Sequence, residues 1–258
     1  MAVTFDNGAS LSHSVVGQTM TNAFTIGGGA NRLLLVGVSF MKTTVGGGAV
    51  SGLTYNGVSL TKFLSSEGSA ATHYRYELWV LLESSMPAAG AHNLIVTFSG
   101  TPVALGFAAL SFSAVDQNVW YNSGQSNSGD VTGPLSTISV NYTAFAPDLF
   151  GFTMGMYSDT HASAGVNTPT VFTTQGYSGA MEIPITGGAQ QAGYYQFSSY
   201  GTCSAGAIAP QWTVVNGGST ASWFMVSLNI RGLENPTPHP GDPWRQFYTA
   251  QDILDLLV

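Results

Sequence analysis

Leu53-Thr54-Tyr55-Asn56-Gly57-Val58-Ser59-Leu60 is a β-hairpin legible from its residue types. Asn-Gly supplies two central positions that tolerate φ > 0, as the tightest hairpin turns require, and the flanking residues alternate. Working outward, Tyr74 to Leu82 also alternates, with Tyr74, Tyr76, Leu78, Val80 and Leu82 on one face and Arg75, Glu77 and Trp79 on the other. Met86-Pro87-Ala88-Ala89-Gly90 then turns the chain into Leu94-Ile95-Val96-Thr97-Phe98, and a further strand is expected over 104–115. Upstream, Leu33-Leu34-Leu35-Val36-Gly37-Val38-Ser39-Phe40 is a continuous apolar run, the mark of a central strand.

The second half repeats the plan. Residues 148–156 echo the run after Asn31, 194–197 the Tyr74 strand, 211–215 the Leu94 strand and 223–230 the Ala104 strand. Short strands at regular spacing with turn residues between them predict a sandwich or barrel. About four strands per half suit a jelly-roll-like antiparallel β-sandwich, all-β in class. No polar linker separates the halves, so residues 1–232 are expected to form one sandwich body. Residues 233–248 follow as a Pro-rich extended arm, and 249–258 as a short amphipathic helix.

Composition narrows the setting. The chain of 258 residues is 44% hydrophobic but only 7% charged, against roughly 25% charged in an ordinary soluble domain. Its most apolar stretch, 103–115, is shorter than the ~20 residues of a spanning helix and is interrupted by Gly and Ser. The surface is therefore expected to be neutral and polar. A net charge of −7 with two lysines argues against nucleic acid, whose phosphates need clustered cations. Cys203 is the only cysteine, so no intrachain disulfide forms, and the first residues lack the basic and apolar regions of an export signal. A virion component made in the host cytoplasm and released by lysis satisfies these constraints together.

The runs 31–40, 52–62, Tyr76-Glu77-Leu78-Trp79, 92–100 and Trp212 with 223–230 resemble a widespread group of β-sandwich structural proteins of tailed bacteriophages. The resemblance covers residues ~30–232 at core and turn positions, and the arm after Gly232 departs from it. It implies the sandwich fold and a structural role in a phage particle.

Signatures of chemistry are sparse. Glu67, Glu77, Glu83, Asp116, Asp130, Asp148, Asp159 and Glu182 are scattered, with no two spaced to share a groove as a glycosidase pair would. Glu77 is the best single carboxylate, and its structural reading is a same-face pair with Arg75. His13, His73, His92, His161 and His239 have no metal-ligand spacing. Asp159-Thr160-His161 and the segment from Asp116 to Asp130 offer too few donors for a cation site. Cys203 has no charged neighbour to activate it. No nucleophile elbow, phosphate loop or dinucleotide fingerprint occurs. No catalytic residue, metal or cofactor is therefore expected. Trp120-Tyr121 is the aromatic pair on which a host-surface sugar would stack.

The arm carries the strongest interaction signal. Pro236, Pro238, Pro240 and Pro243 fix φ and bias the preceding residues toward extended backbone. Thr249 is a good N-cap with Asp252 three residues on, Tyr248 and Ile253 occupy the hydrophobic-staple positions, and Ile253, Leu254 and Leu257 share a face. Ten residues fall short of the ~12–15 at which an isolated helix is even marginal, so this one needs something to pack on. Trp244, Phe247, Tyr248, Ile253, Leu254 and Leu257 are the expected partner-binding residues. The expected partners are other virion proteins, including further copies of this chain. The reading is a non-enzymatic capsid decoration or cement subunit. The alternative is a tail or fibre component, or a carbohydrate-binding adhesion module.

Overall fold

A computed structural model describes residues 2–13, 17–41, 48–67, 74–102, 104–132, 135–144, 150–159, 171–175, 177–178, 183–185, 194–203, 206–215 and 220–233. Its first half contains β1 (Thr4–His13), β2 (Thr19–Ile26), β3 (Leu33–Met41), β4 (Val50–Tyr55), β5 (Val58–Ser59), β6 (Thr61–Glu67), β7 (Tyr74–Leu82), β8 (Gly90–Phe98) and β9 (Ala104–Ser113). The second half contains β10 (Tyr121–Thr132), β11 (Leu135–Ser139), β12 (Tyr142–Ala144), β13 (Phe150–Asp159), β14 (Val171–Gln175), β15 (Tyr177–Ser178), β16 (Ile183–Ile185), β17 (Tyr194–Cys203), β18 (Gly206–Val215) and β19 (Thr220–Ile230). A 3₁₀ turn, Glu83–Ser85, is the one helical element among the described residues. The protein is all-β and its sheets are antiparallel.

The hairpin forms as its sequence requires. Asn56 (φ 50°) and Gly57 (φ 79°) turn β4 into β5, with Tyr55 opposite Val58.

The first half builds two sheets, ordered β1-β9-β3-β7-β6 and β2-β8-β4-β5. The second half repeats this: β10-β19-β13-β17-β15, with β16 also on β17, and a sheet in which β11, β12 and β14 pair with β18. β11 and β14 share Gln211, Trp212 and Thr213 as register partners, so they flank β18 as β2 and β4 flank β8. Equivalence extends to single residues. Phe5 opposes Phe112 and a bulge follows before Asn7; Tyr121 opposes Ile230 and a bulge follows before Ser123. The bulged residue in each case bonds the next residue of the partner strand: Asp6 accepts from the Ser111 hydroxyl at 2.8 Å, and Asn122 from the Asn229 amide at 2.9 Å.

The described residues form four antiparallel sheets in a sandwich-like, all-β arrangement. Alternation along the central strands explains how they stack. Leu34, Val36, Val38 and Phe40 of β3, with Trp79 and Leu81 of β7, pack on Phe24, Ile26, Leu53, Tyr55, Leu94 and Val96 of the β2-β8-β4-β5 sheet. Leu33 and Leu35, with Tyr76, Leu78 and Val80, point the other way and share a core with Phe150, Tyr200, Phe224, Val226, Leu228 and Ile230 of the second half. Both faces of the β1-β9-β3-β7-β6 sheet are therefore buried. The face carrying Arg75, Glu77 and Trp79 lies inside the fold.

Ring contacts fix how the two inner sheets meet. Phe5 of β1 stacks on Tyr200 of β17 at 3.8 Å, and Phe112 of β9 meets Phe150 of β13 edge-on at 5.7 Å. Tyr76 of β7 meets Phe224 of β19 at 4.8 Å, and Phe63 of β6 meets Tyr121 of β10 at 5.1 Å. The strand orders thus run in opposite senses across the interlayer, as a two-fold axis passing near β3 and β13 would arrange them. No helix among the described residues is long and apolar enough to cross a membrane.

Candidate functional site

The connector between the halves, residues 114–120, is held on both sides. Ala114 and Val115 donate backbone hydrogen bonds to Ala30 and Asn31, while Asp116 donates to the Arg231 carbonyl and Arg231 to that of Trp120. Val115 bridges Gly232, and the Leu233 amide reaches the Ala114 carbonyl at 3.0 Å. The chain therefore leaves its last strand against the connector. Asp116 shapes the turn, its Oδ1 accepting from the amides of Asn118 and Val119 and its Oδ2 lying 3.3 Å from Arg231. These bonds occupy the carboxylate that was weighed as a cation ligand.

A half-buried knot anchors the connector's first-half side. Glu83 takes both guanidinium bonds of Arg32 at 2.7 Å and also accepts from the Arg32 amide. Arg32 adds a bond to the Pro87 carbonyl. Gln117 closes the knot, accepting from the Glu83 amide and donating to the carbonyls of Arg32 and Val115. The guanidinium hydrogen bonds hold the Glu83 carboxyl below the usual range, and the same bonds raise Arg32. Both shifts report a structural clamp.

At the connector's other end the chain exposes apolar surface. Val119 (46% exposed) and Tyr121 (36%) are the exposed large hydrophobics among the described residues. Trp120 between them is turned inward at 7% exposure and joins the core shared by the two halves. Phe63, Trp120 and Tyr121 form a closed set of ring contacts, with Phe63 at 4.9 Å from Trp120 and 5.1 Å from Tyr121, and the last two rings 4.8 Å apart. They sit where the edge strands β6 and β10 face each other, the edge called the mouth below. Of the expected stacking pair, Tyr121 presents its ring to solvent and Trp120 supports it from below. Phe63 and Val119 escaped the sequence reading. Phe63 falls at the bulge between Lys62 and Leu64, which alternation does not reveal.

Glu77 is fully buried and multiply bonded. Its Oε1 lies 2.7 Å from Arg75, and its Oε2 lies 3.2 Å from the Lys62 ammonium and accepts from the Trp79 indole. The expected pair with Arg75 is present, and Lys62, 5.1 Å over the Trp79 ring, extends it. A carboxylate so enclosed suits the closing of a sheet edge more than attack on a substrate. Tyr76 is also buried, its hydroxyl finding no hydrogen-bond partner among the described residues, and burial pushes the phenol up. No group of three or more His, Cys, Asp or Glu side chains able to hold a metal occurs among the described residues. The arm residues Trp244, Phe247, Tyr248, Ile253, Leu254 and Leu257, with His73, His161 and His239, lie outside the described residues. No protein-family model matches the chain, and a search of curated proteins returns no match.

Proposed function

We propose that this chain is a non-enzymatic structural subunit of a virus particle, a capsid decoration or cement protein held to its neighbours through residues 234–258. The observation that carries the reading is the exit of the chain. Leu233 is hydrogen-bonded to the connector between the halves, and the exposed side chains Val119 and Tyr121 belong to that connector and to the strand it leads into. The segment that begins there carries four prolines and then Trp244, Phe247, Tyr248, Ile253, Leu254 and Leu257. A stiff spacer followed by a short apolar helix suits attachment to another subunit.

Each half is read as a jelly roll. The orders β1-β9-β3-β7 and β2-β8-β4-β5 support this, being those that two interleaved Greek keys produce. Two such units on a shared core make a rigid block, and the low charge of the chain suits a surface packed among other subunits in a particle.

Sedimentation velocity of the full chain and of a variant lacking residues 234–258 tests the reading. The full chain is expected to form species larger than a monomer, and the shortened one to stay folded and monomeric. Equal sedimentation of the two overturns the anchoring role. The half-exposed ring of Tyr121, supported by Trp120, favours a second reading, a sugar-binding module. That reading requires glycan-array binding by the full chain that Tyr121→Ala abolishes.

A further inference from the structure

We infer that the mouth formed by Phe63 and Tyr121, with the exposed Val119 of the neighbouring connector, is the docking site for residues 244–257, and that the segment filling it comes from a second copy of this chain. The inference rests on the anchoring role proposed above and names the receptor for the arm.

The internal repeat singles out this mouth. The inner sheets meet along two edges that the two-fold arrangement makes equivalent. At one edge Phe5 stacks on Tyr200 and closes the interlayer. At the other, Tyr121 stands where Phe5 stands, as the shared bulge shows. The register sets Val80 in the place of Tyr200, since Val80 opposes Leu35 as Tyr200 opposes Phe152. Valine has no ring to stack on. Tyr121 therefore leans on Phe63 and Trp120 and stays partly in solvent, as does Val119 two residues before it. The repeat sealed one edge with its own aromatics and left its counterpart apolar and open.

Chain path and length select the occupant. Leu233, the last described residue, is hydrogen-bonded to Ala114 of the connector that leads into Val119 and Tyr121. Residues 234–243 contain Pro236, Pro238, Pro240 and Pro243. A spacer of that composition extends by about 3 Å per residue, so about ten residues can reach on the order of 30 Å from Leu233. Return within one chain needs a reversal that closely spaced prolines oppose. An extended arm of that length can meet the mouth of a second copy without reversing. Reciprocal exchange places two arms in two mouths, so the second contact forms at high effective concentration. Trp244, Phe247, Ile253, Leu254 and Leu257 supply the apolar surface that an aromatic mouth accepts.

The test uses the full chain in sedimentation velocity over a concentration series, with Val119→Asp and Tyr121→Ser at the mouth and Leu254→Asp in the arm. Val119 is exposed, so its variant should keep the wild-type circular dichroism spectrum. Each of the three substitutions is expected to weaken self-association at least tenfold, and Val119→Asp combined with Leu254→Asp to do little more than either alone. Photocross-linking from position 254 in a mixture of isotopically heavy and light chains should give heavy–light products containing the peptide around Tyr121. The inference is overturned if the mouth variants associate like wild type, or if cross-links form only within single chains. Should the mouth variants be silent while Leu254→Asp abolishes association, the arm anchors elsewhere and the proposed function stands. Should loss of residues 234–258 leave association unchanged, or the wild-type chain stay monomeric throughout, both fall.

Discussion

The two halves run through the same sheet order with opposite chemical means. In the first half, ion pairs close the β7 side of the inner sheet: the buried Glu77 with Arg75 and Lys62, and the part-exposed Glu83 with Arg32. In the second, register places Phe197 where Glu77 stands and Thr202 where Leu82 stands, so Cys203 takes the position of Glu83. No Lys or Arg occurs from residue 121 to 230. The strand order nevertheless repeats, and so does the bulge with its side-chain latch. Topology here follows apolar alternation and the bulge, and ion pairs are a local way of satisfying an edge. Removing a buried pair's partner costs far more than never having the pair.

That contrast gives experiments in descending order of effect. Phe112 touches Phe5, Phe150 and Tyr200, so it belongs to both halves at once. Phe112→Ala should cost about 3–5 kcal/mol in urea unfolding, through lost burial and a cavity. A loss well under 2 kcal/mol would mean the halves do not share that core. Glu77→Ala leaves Lys62 and Arg75 without their common carboxylate and should cost about 3 kcal/mol. If the cost is negligible, the charged edge of the first half is as dispensable as its absence in the second suggests. The bulge latches should respond alike: Asp6→Ala and Asn122→Ala should each cost about 1 kcal/mol by thermal denaturation. Asp6 also holds the Gly27 amide, so a somewhat larger loss there is expected.

The smallest effect is a pH dependence confined to the first half. Hydrogen bonds from Arg32 lower the Glu83 carboxyl in the folded protein. A depressed folded value stabilises above the unfolded value and is lost as pH falls through the folded one. Wild type should therefore lose stability below the normal glutamate range, by about 1 kcal/mol given a side chain one-third exposed. In Glu83→Gln that part of the slope should vanish, with stability at neutral pH already reduced. An unchanged slope would show that Glu83 is not the titrating group.

Much of this fold is legible in residue order. Asn56-Gly57 gives its turn directly, because few side chains tolerate that backbone, and the strand from Tyr74 to Leu82 has the expected bounds. The echo between the halves is also readable, and it reappears as equivalent strands. What alternation does not tell is what covers a face. Alternation groups Arg75, Glu77 and Trp79 on one face without saying what lies over it, and a second sheet covers Trp79. Trp120 reads as an exposed platform because it follows a polar turn, and the turn instead directs it into the shared core. Phe63 was hidden by a bulge that breaks the period of two. Stacking of one half on the other depends on pairings such as Phe5 with Tyr200 and Tyr76 with Phe224, which no local window contains.

The claim on which the rest depends is that both halves are secured by a single interlayer core between β3 and β13. Hydrogen exchange measured by mass spectrometry on wild type and Phe112→Ala tests it most directly. Phe112 lies in β9, yet protection should fall in parallel in β3 and in β13 and β19 of the other half. Faster exchange confined to the first half, with β13 and β19 unchanged, would contradict it.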